Sequence, residues 1–273
     1  MLYRNETHTV KRGYPRQIAV VAVALFLFLS VFAFPPLQGA TGAGERKLTI
    51  AAASSLAFAL KEVVREFEAE TGHGAVISFG STGKLARQIE NGAPFDLFFA
   101  AHESYIKQLV AKGLITPDTV SPYGQGRIVL ATNRREGEEV HTLEGLLAPD
   151  VRRVAIANPL HAPYGKAAKE ALMHLGLWKA IKPKLVYGEN IRQTLQFIKA
   201  GDAPVGIIAL SVADTKDIAY TVIDGSFHTP LTLSTAVIKQ SPLQEEALSF
   251  IKLITGPKGQ QIMRRYGLQP GVQ

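Results

Sequence analysis

Short apolar runs alternate with segments of helical period from residue 47 to the C-terminus, and this alternation restricts the fold more than any other feature. Residues 47–53 (KLTIAAA) read as a buried strand. Leu56, Leu60, Val63, Val64 and Phe67 then recur at three- and four-residue steps, predicting one apolar helix face that ends before Gly72. Residues 75–79 and 96–100 read as further strands. Between them a short helix carries Leu85 and Ile89, and a helix over 104–112 closes at Gly113. A second set follows: strands over 127–132, 153–157, 184–187, 205–208 and 219–223, with helices over 164–175 and 191–200. A strand over 232–238 and two helices, 242–254 and 257–266, finish the chain, the last with Pro257 in its first turn. Alternation of this kind predicts parallel sheets with right-handed crossovers, hence two α/β units. The expected crossings between them lie near 123–128 and 230–233.

The first 44 residues are of a different character. Arg4, Lys11, Arg12 and Arg16 precede an uncharged Val/Ala/Leu/Phe-rich run over 18–34, and small residues follow from Gly39 to Gly44. That order is the pattern of a secretory leader cleaved within 39–44. The apolar run is also at the short end of what spans a bilayer, about 17–25 residues, so an uncleaved anchor is the alternative. Either way the remainder is expected outside the cytoplasm. The chain has no cysteine, which excludes disulfides, thiolate metal sites, a cysteine nucleophile and a lipid-modified N-terminal cysteine. Its formal charge is +7, of which the leader carries a net +3. The mild positive balance that remains favours anions by steering. No Lys/Arg cluster interleaved with aromatics points to nucleic acid.

Open α/β sheets bind ligands beyond the carboxyl ends of their strands, so the strand-to-helix junctions are the places to read for chemistry. The first is Ala51-Ala52-Ala53-Ser54-Ser55-Leu56 and the second is Phe79-Gly80-Ser81-Thr82-Gly83-Lys84-Leu85. The third is Asn158-Pro159-Leu160-His161-Ala162-Pro163-Tyr164, and the fourth is Gly188-Glu189-Asn190-Ile191. A helix start offers free N–H groups and the positive end of a dipole, and hydroxyls add donors. An ionised oxyanion only accepts hydrogen bonds, so a pocket of donors suits it. Ser and Thr are equally the ordinary N-cap residues, worth ~0.5–2 kcal/mol of helix stability, and each junction by itself supports both readings.

Several familiar signatures fail. The phosphate-loop pattern G-x-x-x-x-G-K-[ST] is broken by Ser78 at its first glycine and by Leu85 after Lys84. There is no G-x-S-x-G elbow and no H-E-x-x-H. The seven histidines are scattered, and His161 reads as a surface-loop residue, Lys84 as a solvated first-turn lysine. An exported serine hydrolase remains a rival reading, but no His/Asp pairing accompanies the junction serines.

The segments AAASSLAFAL (51–60), GSTGKLARQIENGAPFDLFFA (80–100), VAIANPLHAPYGKAAKEAL (154–172), YGENIRQTL (187–195), PVGIIAL (204–210) and KLITGPKGQQIMRRYGL (252–268) resemble the periplasmic molybdate-binding proteins of ABC-type uptake systems. The resemblance runs from about residue 47 to 269, and its most specific parts are NGAPFDLFFA and NPLHAPYG. It implies a type II two-lobe binding fold, with lobe one formed by 45–125 and 232–273 and lobe two by 126–231. It implies a non-enzymatic monomer, without cofactor or protein-bound metal, that holds molybdate or tungstate through hydroxyls and N–H groups. The implied partner is the membrane permease of an ABC transporter, and sulfate is the alternative oxyanion. Carried over residue by residue, the implied ligand-binding positions are Ser54 and Ser55, Thr82 with Ser81 beside it, Tyr164, and the Ile191 N–H. Some members place a tyrosine after the strand that corresponds here to 205–208. This chain has Ala209 there, so it resembles the subgroup whose tyrosine arrives from the Tyr164 loop. Asp96 and Glu189 are not expected on the ligand, because a carboxylate repels a dianion.

Overall fold

A computed structural model describes residues 46–135 and 140–270. The leader expected over 1–44 lies outside the described residues. Among the described residues no helix is long and apolar enough to cross a membrane.

The first half forms β1 (Leu48–Ala53), α1 (Ala59–Thr71), β2 (Ala75–Gly80), α2 (Thr82–Glu90), β3 (Leu97–Ala100), α3 (Glu103–Ala111) and β4 (Ser121–Gly126). The second comprises β5 (Ile128–Asn133), β6 (Val154–Ala157), α4 (Pro163–His174), α5 (Trp178–Ile181), β7 (Leu185–Gly188), α6 (Ile191–Ala200), β8 (Val205–Ala209) and β9 (Ile218–Val222). β10 (Leu231–Val237), α7 (Gln244–Thr255) and α8 (Pro257–Arg265) close the chain. The strands make two five-stranded sheets, ordered β2-β1-β3-β10-β4 and β7-β6-β8-β5-β9. The chain thus passes between sheets at Arg127 and again between β9 and β10.

Each sheet has a parallel half, as the alternation predicts: β1 pairs with β2 and β3, and β6 with β7 and β8. The other half is antiparallel, because the strands flanking the crossings return along the sheet: β10 against β3 and β4, β5 against β8 and β9. β5 and β8 are buried along their whole length, which is why residues 128–131 and 205–208 read as apolar runs. β4 is a strand that hydrophobic pattern does not show. Its sequence SPYGQG holds a proline and two glycines, tolerable because β4 lies at a sheet edge. The helix expected from Leu56 begins later, at Ala59. Ser54–Leu56 instead form a single 3-10 turn directly off β1.

An aromatic cluster seats the C-terminal helices on the first sheet. Phe250 of α7 stands edge-on to Phe67 of α1 and Phe99 of β3, with ring centroids 5.1 and 5.7 Å apart. Phe99 in turn meets Tyr123 of β4 at 5.3 Å. Edge-to-face pairs of this kind each add about 0.5–1.5 kcal/mol beyond area burial. Asp96 supplies a polar fastening at the other end of β3. Fully buried, it accepts the Thr49 N–H at 2.8 Å and the Ser241 hydroxyl at 2.7 Å, and Arg46 approaches at 3.4 Å. The carboxylate thereby ties β1 to the turn after β10, a structural task away from any junction. Replacing it strands two buried donors. Asp96→Ala should lower stability by about 3 kcal/mol in urea unfolding, without changing the denaturant slope.

Candidate functional site

All six residues singled out at the junctions line one small pocket between the two sheets. Ser54, Ser55, Ser81 and Thr82 approach from the first, Tyr164 and Ile191 from the second. The rest of the lining is Ala53, Gly80, Ala101, Ala162 and Pro163, so no charged side chain borders the cavity. It is far smaller than two other clefts, about 200 Å³ of space outside atoms against about 830 and 990 Å³. A sugar or peptide does not fit.

The parallel halves of the sheets place these groups. β1 and β2 end at this pocket, where the chain turns into the 3-10 turn and α2, and the loops after β6 and β7 bring the starts of α4 and α6 to it. Thr82 and Ile191 occupy the first helical positions of α2 and α6, and Tyr164 the second position of α4. First-turn N–H groups have no intrahelical acceptor. Asn190 caps α6 by accepting from the N–H groups of Arg192 and Gln193, one and two residues beyond Ile191.

The hydroxyls do not act as helix caps. Ser81 occupies the N-cap position of α2, yet its side chain makes no capping bond. It faces His161 Nδ1 across the pocket edge at 2.8 Å. Thr82 Oγ1 accepts the Ala101 N–H at 3.1 Å, and Ser54 Oγ accepts the Arg192 N–H at 3.4 Å. An oxygen that already accepts from the backbone keeps its own proton free to donate. Ser55 Oγ and Tyr164 Oη are buried and neither makes a well-formed hydrogen bond, although the two hydroxyls and that of Ser211 stand close to one another. A buried hydroxyl left unsatisfied costs about 1–3 kcal/mol, and an acceptor entering the cavity would relieve that cost for both. Burial pushes the Tyr164 phenol up to about 12, against a smaller downward pull from the neighbouring Ser55 and Ser211 hydroxyls. It therefore stays protonated, a donor, throughout the physiological range.

Three residues outside the expected set hold the halves together here. Ser211, just beyond β8, donates to the Ser55 carbonyl at 2.7 Å, fixing the turn that presents Ser55. Nothing in its sequence neighbourhood marks it. His161, expected as a surface-loop histidine, is only 8% exposed, because α2 packs directly onto its loop. The Gly83 N–H donates to the His161 carbonyl at 2.9 Å, and a Cβ on Gly83 would stand 2.9 Å from that same oxygen. Gly126, the last residue of β4 before the crossing, lies against the Tyr164 ring, and a Cβ there would be 2.2 Å from Oη. Lys84, half exposed as expected, forms an ion pair with Glu189, and neither lines the pocket. Asp96 lies elsewhere, in the fastening described above.

The sequence profile of bacterial extracellular solute-binding proteins matches residues 48–269. The molybdate-binding protein ModA of Rhodobacter capsulatus is 31% identical over 255 residues, spanning 93% of this chain and 97% of the relative. ModA of Azotobacter vinelandii is 32% identical over 84% of this chain and 92% of its own. The solved Azotobacter vinelandii periplasmic molybdate-binding protein superposes with a TM-score of 0.77 at 28% identity, covering 81% of this chain and 98% of that one.

The close packing at Gly126 is directly testable. Gly126→Ala should force the Tyr164 ring from its seat and lower stability by ~1–3 kcal/mol in thermal unfolding. Adding Tyr164→Ala, which removes the obstructed ring, should make the alanine at 126 nearly neutral relative to Tyr164→Ala alone. Additive losses would show that the two positions do not meet.

Proposed function

The chain belongs to the family of bacterial extracellular solute-binding proteins, and from that premise we propose that it captures molybdate, and tungstate with it, between two lobes for delivery to the membrane permease of an ABC transporter. The observation that carries this reading is the pair of buried hydroxyls without a well-formed hydrogen bond, Ser55 and Tyr164, facing one uncharged cavity from opposite sheets. A fully ionised tetrahedral oxyanion supplies the acceptors that they, Ser54, Thr82 and the first-turn N–H of Ile191 require. Helix starts add positive potential without a counter-ion. Ser81 completes the ring of hydroxyls.

The absence of a carboxylate from the lining supports a guest that has lost all its protons. Phosphate near neutral pH keeps one and needs an acceptor; molybdate, tungstate and sulfate do not. Cavity size must then separate sulfate from the larger pair. Lobe one comprises 45–125 and 232–273 and lobe two 126–231, hinged where the chain crosses between sheets. The protein works as a monomer outside the cytoplasm after loss of a leader ending within 39–44. It is a carrier: nothing is transformed, and the serines need no activating base.

Calorimetric titration of the mature chain should give strong heat with molybdate and tungstate, weak heat with sulfate and little with phosphate. Equal responses to molybdate and sulfate would defeat the assignment. Ser55→Ala and Thr82→Ala should each weaken molybdate binding by ~1–3 kcal/mol, the cost of one missing donor. Normal binding by both variants would move the site elsewhere.

A further inference from the structure

We propose that His161 is a positioning residue that sets the direction of the Ser81 hydroxyl proton, so that capture of the anion draws a proton onto the imidazole. The inference rests on the reading of the pocket as an oxyanion site, and it adds a group that does not itself line the cavity.

Ser81 and His161 meet from opposite lobes, 4% and 8% exposed, with Oγ and Nδ1 2.8 Å apart. On the far side of the ring, Nε2 lies 3.7 Å from Glu189 Oε1. The backbone that carries the imidazole is fixed against α2, because the Gly83 N–H holds the His161 carbonyl at 2.9 Å and the closeness of the two backbones admits no side chain at 83. The charged groups around it are Glu189, from the β7–α6 junction, and Lys84 and Arg87, from α2.

A neutral imidazole has one N–H and one lone pair, and each tautomer has a fault here. With the lone pair on Nδ1, the Ser81 hydroxyl must donate to it. Only oxygen lone pairs then face the cavity, and a dianion there is repelled. With the proton on Nδ1, Ser81 is free to donate into the cavity, but the bare Nε2 faces the Glu189 carboxylate, acceptor against acceptor. The imidazolium removes both faults. Nδ1–H donates to Ser81 Oγ, Nε2–H points at Glu189, and the Ser81 proton turns to the anion. The proton comes from solvent, and no bond in the anion is made or broken.

Before capture, burial holds the imidazole below the usual histidine value, with Glu189 pulling it up and Lys84 and Arg87 pushing it down. A dianion one hydrogen bond away raises it. The group's pKa is thus higher in the loaded protein than in the free one. The gain in affinity is fully present below the free-state pKa and is lost as pH rises through the loaded-state pKa. Within that window affinity falls by up to about tenfold per pH unit, the limit for one linked proton.

The test is calorimetry of the mature chain with molybdate near neutral pH, in buffers of differing ionisation enthalpy. The anion carries no proton of its own there, so the buffer dependence of the heat counts protons taken up by the protein. The expected result is a net uptake approaching one proton, lost in His161→Gln, which still offers a donor to Ser81 but cannot titrate. Its affinity should also be flat with pH. Binding heat in the unaltered protein that is independent of buffer would overturn the inference even if the variant proved unfoldable, as would undiminished uptake in His161→Gln. No molybdate heat in any buffer would instead remove the oxyanion reading on which the inference stands.

Discussion

A buried hydroxyl without a well-formed hydrogen bond is costly, and among the described residues two such hydroxyls, Ser55 and Tyr164, share one cavity. Everything around them is arranged so that they stay free. The Ser55 turn is fixed through its carbonyl by Ser211, not through its hydroxyl. The Tyr164 ring packs against Gly126. Thr82 and Ser54 receive backbone N–H groups and so keep their protons to give. The result is a lining that can donate many times and offers no charge, the complement of an anion that only accepts.

Under the proposed reading, the two-lobe architecture meets that demand. One lobe can present two junctions at the ends of neighbouring parallel strands, as β1 and β2 do; enclosing a tetrahedral guest needs donors from the opposite side as well. The second sheet repeats the arrangement with β6 and β7, and two crossings join the halves. The first crossing follows Gly126, whose bare Cα is what lets the pocket tyrosine sit beside the hinge. Contacts that bridge the halves, among them Lys84 with Glu189 and Gly83 with His161, involve residues outside the pocket lining and leave its donors free.

Much of this was legible in the sequence, for definite reasons. Strands such as β5 and β8 are buried throughout and so read largely as apolar runs, while α1 and α6 show helical spacing because one face of each meets a sheet. β4 was not legible, since Pro122, Gly124 and Gly126 carry no strand pattern and only its edge position permits them. The junction residues were found because open sheets bind at strand ends, but their roles were ambiguous: a serine before a helix is ordinarily a cap. Only the geometry shows Ser81 turned from α2 toward His161. Ser211 and His161 act on residues distant in sequence, Ser55 and Ser81, and no local spacing encodes such a pairing. Asp96, in a segment that invites a functional reading, turns out to fasten strands.

The central claim is that uncharged donors from both lobes enclose a proton-free dianion. Its most direct test is a crystal structure grown with molybdate, in which anomalous scattering locates the metal independently of the protein density. One strong peak should lie in the pocket of Ser54, Ser55, Thr82, Tyr164 and Ile191, with oxygens at hydrogen-bond distance from the Ser55 and Tyr164 hydroxyls. A peak in one of the larger clefts, or one coordinated by carboxylates, would contradict the account.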